Sequence, residues 1–97
     1  MINVSELKAF AIAQNTIWKT LSNENRVKIL YALYESDLSW SDLMFNLKIN
    51  PKSLSNHLNY LIEYQMVEKK NDGYGITAFG REVCELKIFS EIAEANT

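Results

Sequence analysis

The sequence predicts a mostly α-helical domain carrying one small β-hairpin, an α+β arrangement in which four helices precede the hairpin and a fifth closes the chain. Three observations lead there. Apolar residues recur at helical spacing in successive stretches, an asparagine followed by proline opens the fourth of them at Asn50-Pro51, and Asp72-Gly73 stands between two short extended runs.

The first helix is expected over residues 5–21, where Leu7, Phe10, Ala11, Ile17, Trp18 and Leu21 follow a helical stripe that Gln14 and Asn15 interrupt. Ser22 and Asn23 then offer caps, and Glu24 occupies the first turn of a second helix ending near Glu35. Val27, Leu30, Tyr31 and Tyr34 mark one face of it, while Ile29 and Leu33 add apolar surface beyond that stripe. Such a helix is covered on more than one side and forms the centre of the core. Residues 37–40 read as one extended segment, after which Ser41 caps a short helix bearing Leu43, Met44 and Leu47. Residues 48–50 form a tight connection. Asn50 can accept from the unpaired amides of the next first turn, and Pro51 suits the first helical position because its missing N–H would be unpaired there anyway.

The helix that follows, expected over residues 52–65, turns Leu54, Leu58, Leu61 and Ile62 inward, so that Ser53, Ser55, Asn56, His57 and Asn59 point elsewhere. Residues 67–71 and 74–77 then pair about Asp72-Gly73, a dipeptide that tolerates the positive φ angles of a two-residue hairpin turn. Thr77 caps the last helix, in which Phe79, Val83 and Leu86 share a face and Ile88 and Ile92 widen it. Gly80 lies inside that helix. Glycine there is about 1 kcal/mol worse than alanine, which points to a close approach by another part of the chain.

Length and composition bound what such a chain can be. The 97 residues make one domain, expected to span 1–97, with 47% hydrophobic and 23% charged residues, a balance that folds and is neither fibrous nor disordered. No apolar run approaches the roughly 20 residues that cross a bilayer, and the first ten residues lack the basic-then-apolar pattern of a secretory signal, so no membrane partner and a cytoplasmic location are expected. Cys84 is alone, which excludes an internal disulfide and a cysteine-built zinc site and leaves a half-buried structural thiol. The formal net charge of −2 removes any global electrostatic attraction to nucleic acid. Local charge is another matter: from residue 43 to residue 62 there is no acidic side chain.

A short helix, a tight turn and a polar-faced helix describe a helix-turn-helix, and the hairpin behind it makes the order that of a winged helix-turn-helix. The wording is similar to one family. The run from Ser22 to Leu30, SNENRVKIL, resembles the "LSNPTRLKIL" opening of ArsR-type regulators, and Leu54 to Leu61, LSNHLNYL, resembles their "VSHHLKVL" recognition helix. Ile76 to Glu82, ITAFGRE, resembles the "LTEKGRE" that follows the wing in related regulators. The resemblance spans roughly residues 17–87 and implies a DNA-binding transcription regulator, with the helix-turn-helix at 41–65, a wing at 66–77, and dimerisation helices at 1–21 and 78–95. Three departures stand out. Ser39-Trp40-Ser41 occupies the place of the "CVC" pair of metal-sensing members, Lys48 stands where glycine is frequent, and Asn56 where histidine is. Soft-metal sensing through that site is excluded, because a serine oxygen is hard and stays protonated at neutral pH. No metal and no cofactor are expected.

In a recognition helix, amide side chains pair bidentately with adenine in the major groove, which assigns base reading to Asn56 and Asn59. His57 is suited to a guanine acceptor or a phosphate, and Lys52, Ser53 and Ser55 to anchoring on the backbone near the helix start. Tyr60 and Tyr64 are expected to pack on their neighbours. In the hairpin, Lys69, Lys70 and Asn71 can lie against flanking phosphates, although Glu68 and Asp72 dilute that charge and a solvated turn is an equal reading. The terminal helices carry Phe10, Ile17, Trp18, Ile88, Phe89 and Ile92, more apolar surface than a small core covers. Pairing two chains through them would set two recognition helices roughly 34 Å apart over a near-palindromic duplex; the other reading is a thicker monomer core.

The expected function is therefore sequence-specific binding of double-stranded DNA by a homodimeric repressor. The alternative is a winged-helix module that binds another protein through its acidic remainder. An enzyme is not expected, since the chain offers one histidine, no glycine-rich phosphate loop and no Cys–His pair at nucleophile spacing.

Overall fold

The computed structural model describes residues 14–95, with the backbone alone at residues 89, 90 and 92–95. Helix α1 is described over residues 14–21. It is followed by α2 (Glu24–Glu35), α3 (Trp40–Leu47), α4 (Pro51–Glu63), β1 (Val67–Lys70), β2 (Gly73–Ile76) and α5 (Ala78–Ala95). The expected α+β class, mostly helical with one hairpin, is the observed one.

The helix starts follow local chemistry. Asn23 Oδ1 accepts from the amides of Asn25 and Arg26 at 3.0 and 3.2 Å and so caps α2. Asn50 Oδ1 accepts from Lys52 and Ser53 at 2.9 and 3.4 Å, with Pro51 in the first turn of α4. The cap of α3 is Ser39, not Ser41: its Oγ accepts from the Asp42 amide at 3.1 Å. The helix begins that early because Leu38 is held extended, exchanging backbone hydrogen bonds of 3.1 and 2.8 Å with Tyr74 of the hairpin.

α2 packs against α3, α4, α5 and β2 and supplies Ile29, Leu30 and Leu33 to the core. It is the central helix, as its surplus of apolar faces predicts. Around it close Leu43 and Ile49, Leu54, Leu58 and Leu61 of α4, Met66 and Val67, and Val83 and Cys84 of α5. Leu86, expected on the inner face of α5, is 54% exposed. The face that packs is instead set by Gly80, Val83 and Cys84, three and four residues apart, which leaves Leu86 turned outward. Cys84 is fully buried rather than half-buried.

α4 ends at Glu63, two residues earlier than expected, in a reversal through Gln65, whose φ is 62°. The Met66 amide donates to Leu61 O at 2.9 Å and the Gln65 amide to Ile62 O at 3.0 Å, the paired bonds that close a helix through a left-handed residue. Lys48, at the end of α3, is also left-handed with φ 54°, a backbone conformation that glycine adopts without penalty. Thr77 joins the two ends of the wing: its Oγ1 donates to Gln65 O at 2.6 Å and accepts from the Gly80 amide at 3.0 Å, capping α5.

The hairpin pairs Val67 with Ile76 and Lys70 with Gly73, which places the turn at Asn71-Asp72 rather than at Asp72-Gly73. Neither turn residue has a positive φ. Gly73 lies inside β2 because a Cβ there would run into the carbonyl oxygen of Leu38, the same oxygen that bridges to Tyr74. Gly80 meets the close approach expected of it: a Cβ would overlap Met66 O.

Candidate nucleic-acid interface

Helix α4 presents two unlike sides. Leu54, Leu58 and Leu61 are at most 2% exposed, while Lys52, Ser55, Asn56 and Asn59 are exposed on the opposite side. Asn56 and Asn59, one turn apart, stand together there. Ser53 and His57 occupy the flank between these sides and are half-buried. The amides of Lys52 and Ser53 are already engaged by Asn50, so the start of the helix offers its side chains rather than those two N–H groups.

The flank is organised by a residue to which the sequence reading assigned no role. The Arg26 guanidinium lies 3.6 Å from the centroid of the Tyr60 ring, and its Nη1 donates to Lys19 O at 3.3 Å. Tyr60 OH shares a 3.1 Å hydrogen bond with Thr20 Oγ1, and its ring centroid is 4.7 Å from that of Tyr64. Both tyrosines pack on neighbours, as expected. Burial first, and the Arg26 charge second, hold His57 below the usual histidine pKa. One signal for Arg26 was present in the sequence: no acidic residue lies three or four positions away to pair with it on the helix.

In the hairpin, Lys69 is exposed, with Nζ 5.8 Å from the centroid of the Tyr74 ring, and Asn71 is exposed at the turn. Lys70 is differently placed. Its Nζ is 2.9 Å from Asp37 Oδ2 and 3.9 Å from Glu68 Oε1, and the hydrogen bond to Asp37 pushes its pKa up. Sequence reasoning missed Asp37 because it joins the hairpin from 33 positions away.

Of the residues expected to pair two chains, Ile17 and Ile88 are half-buried and Trp18 is 62% exposed. Phe10 and the side chains of Phe89 and Ile92 lie outside the described residues. Ile17, Trp18, Leu21, Leu86 and Lys87 line an open groove of about 340 Å³ between α1 and α5. Among the described residues, no helix is long and apolar enough to cross a membrane, and no three His, Cys, Asp or Glu side chains are grouped as a metal site requires.

Residues 23–69, which hold α2, the helix-turn-helix and all but the last residue of β1, match the model of the ArsR family of bacterial regulatory proteins. Over those residues the chain is similar to the ArsR-family helix-turn-helix. The homodimeric winged helix-turn-helix domain Mb0332 of Mycobacterium bovis superposes with a TM-score of 0.78 at 20% identity, covering 96% of this chain and 88% of its own. Rv0081 of Mycobacterium tuberculosis is 27% identical with a TM-score of 0.70, over 99% and 93% of the two chains. The AntR antimony-specific transcriptional repressor is 25% identical with a TM-score of 0.71, over 99% and 87%. No curated protein sequence matches the chain. The matched segment and the fold are similar to those of transcription regulators, and these likenesses support a DNA-binding regulator of the winged helix-turn-helix class.

Proposed function

We propose that the protein is a homodimeric repressor that reads a near-palindromic duplex with α4 in the major groove and rests its wing on the flanking phosphates. The observation that carries this reading is the exposed pair Asn56 and Asn59 on a helix anchored by three buried leucines, within a stretch that holds no acid from residue 43 to residue 62. Amides so placed suit bidentate pairing with adenine. Lys52, Ser53 and Ser55 anchor the backbone near the helix start, and His57, on the flank, contacts a guanine edge or a phosphate. On the wing, Lys69 and Asn71 are the phosphate contacts; Lys70 joins them only by exchanging Asp37 for a phosphate.

Dimerisation through α1 and α5, with Phe10, Ile17, Trp18, Ile88, Phe89 and Ile92 as the interface residues the sequence suggests, is supported by Trp18 and Leu86, both more than half exposed beside the groove between those helices. A twofold axis there sets the recognition helices roughly 34 Å apart. Occupying a promoter in this way blocks transcription, the role that AntR has by name.

Selection of bound duplexes from a random pool, followed by titration across a salt series, tests the reading. A near-palindromic consensus is expected, with log affinity falling linearly against log salt. Asn56→Ala relaxes preference at one base position at about 1–3 kcal/mol, whereas Lys69→Ala weakens all sequences alike. Absence of duplex binding at low salt overturns the proposal in favour of a protein-binding winged helix.

A further inference from the structure

Arg26 differs from every other cation among the described residues. Lys28, Lys70 and Lys87 are paired with carboxylates, and Lys19, Lys48, Lys52, Lys69 and Arg81, which have no such pair, are exposed to water. Arg26 is half-buried and has no carboxylate partner there. Its Nε is buried without a hydrogen-bond partner, the one such side-chain atom among the described residues. A guanidinium left uncompensated and part-desolvated is unfavourable in the free protein, and an arriving anion relieves it.

The group is also held still. Stacking on Tyr60 and the bond from Nη1 to Lys19 O fix the plane of the fork, while Nη2 keeps its protons free of protein acceptors among the described residues. Tyr60 and His57 are three positions apart on the α4 side that meets α2, so the chain's single histidine stands beside this fork, next to the helix face carrying Asn56. A planar fork with fixed orientation matches the tetrahedral oxygens of a phosphate and loses little entropy on binding one.

We propose that Arg26 and His57 form a phosphate-binding notch on the seam between α2 and α4, gripping one DNA backbone phosphate on the side of the groove opposite the wing. The notch rests on the DNA-binding reading above. Its role is to hold the domain on the backbone: a contact from α2 on one side and from the wing on the other seats α4 in the groove without itself reading a base.

The test is fluorescence anisotropy on duplexes selected with the wild-type protein, across a salt series at fixed pH, with folding of each variant checked by thermal melting. Arg26→Met keeps an apolar stem against Tyr60 and removes the charge. It is expected to bind on the order of tenfold or more weakly, equally for all sequences, with the slope of log affinity against log salt reduced by about 0.9. Arg26→Lys keeps the charge without the fork and is expected to retain the slope while losing affinity severalfold. A folded Arg26→Met protein with the wild-type slope and affinity overturns the notch and leaves Arg26 as a packing residue. Where Arg26→Met does not fold, Arg26→Lys decides, since wild-type affinity in that variant overturns the notch equally. A wild-type protein that binds no duplex at low salt overturns the DNA-binding reading itself, an outcome distinct from either.

Discussion

Replacing Gly80 with alanine sets two effects of opposite sign against each other, and the structure decides between them. Helix propensity alone favours alanine by about 1 kcal/mol. Against this, the new Cβ overlaps Met66 O and lies 2.9 Å from the Met66 carbonyl carbon and 2.8 Å from Ile76 Cγ1. Two of those atoms belong to the backbone, which cannot rotate away as a side chain does. Met66 O also accepts the Thr77 amide at 3.1 Å, so moving it disturbs the junction at which α4, the hairpin and α5 meet. Overpacking of this kind costs about 1–3 kcal/mol, and a weakened buried hydrogen bond about 1 kcal/mol more. The net expectation is a loss of about 1–3 kcal/mol, which lowers the Tm of a chain this size by roughly 4–8 °C for each kcal/mol. Thermal unfolding followed by circular dichroism, with both proteins at one concentration because an oligomer's Tm depends on it, measures the difference. An unchanged or higher Tm for Gly80→Ala would mean that Met66 does not press on α5, and that glycine is there for another reason.

Two titrating side chains allow further checks. With His57 held below its ordinary pKa by burial and by Arg26, the folded chain binds fewer protons than the unfolded one, so the stability due to neutral His57 is complete above about pH 6.5 and is lost as pH falls through the folded value. The Tm should therefore fall more steeply between pH 7.5 and pH 5 in the wild type than in His57→Gln, and an imidazole resonance titrating at or above 6.5 by NMR would contradict this. Burial pushes the Cys84 thiol up to about 11, so almost no thiolate exists at pH 8. Iodoacetamide should leave the native protein unmodified by mass and label it once denatured; rapid labelling of the folded chain would show that Cys84 is not where the packing puts it.

What could be read without coordinates is what adjacent residues decide among themselves. Asn50 with Pro51 sets the start of α4 through its own first-turn amides, and the spacing of Leu54, Leu58 and Leu61 orients that helix whatever it packs against. The same holds for the order of the elements, for Thr77 as a cap, and for Gly80 as a place of close approach. The exposed amides at Asn56 and Asn59 follow from the leucine spacing on the other side of one helix.

Tertiary contacts decided the remainder, because there the sequence offers two equivalent local solutions or none. Ser39 and Ser41 are both good caps, and the bridge from Leu38 to Tyr74 selects the first; that same bridge moves the hairpin turn to Asn71-Asp72 by claiming the space a Cβ at Gly73 would need. The capture of Lys70 by Asp37, the outward turn of Leu86, and the seat of Arg26 on Tyr60 each join residues remote in the chain or depend on the angle at which helices cross. Periodicity within one element carries no record of such partners. The polar face of α4 is thus written locally, whereas the charges that flank it are set by how distant elements come to rest against one another.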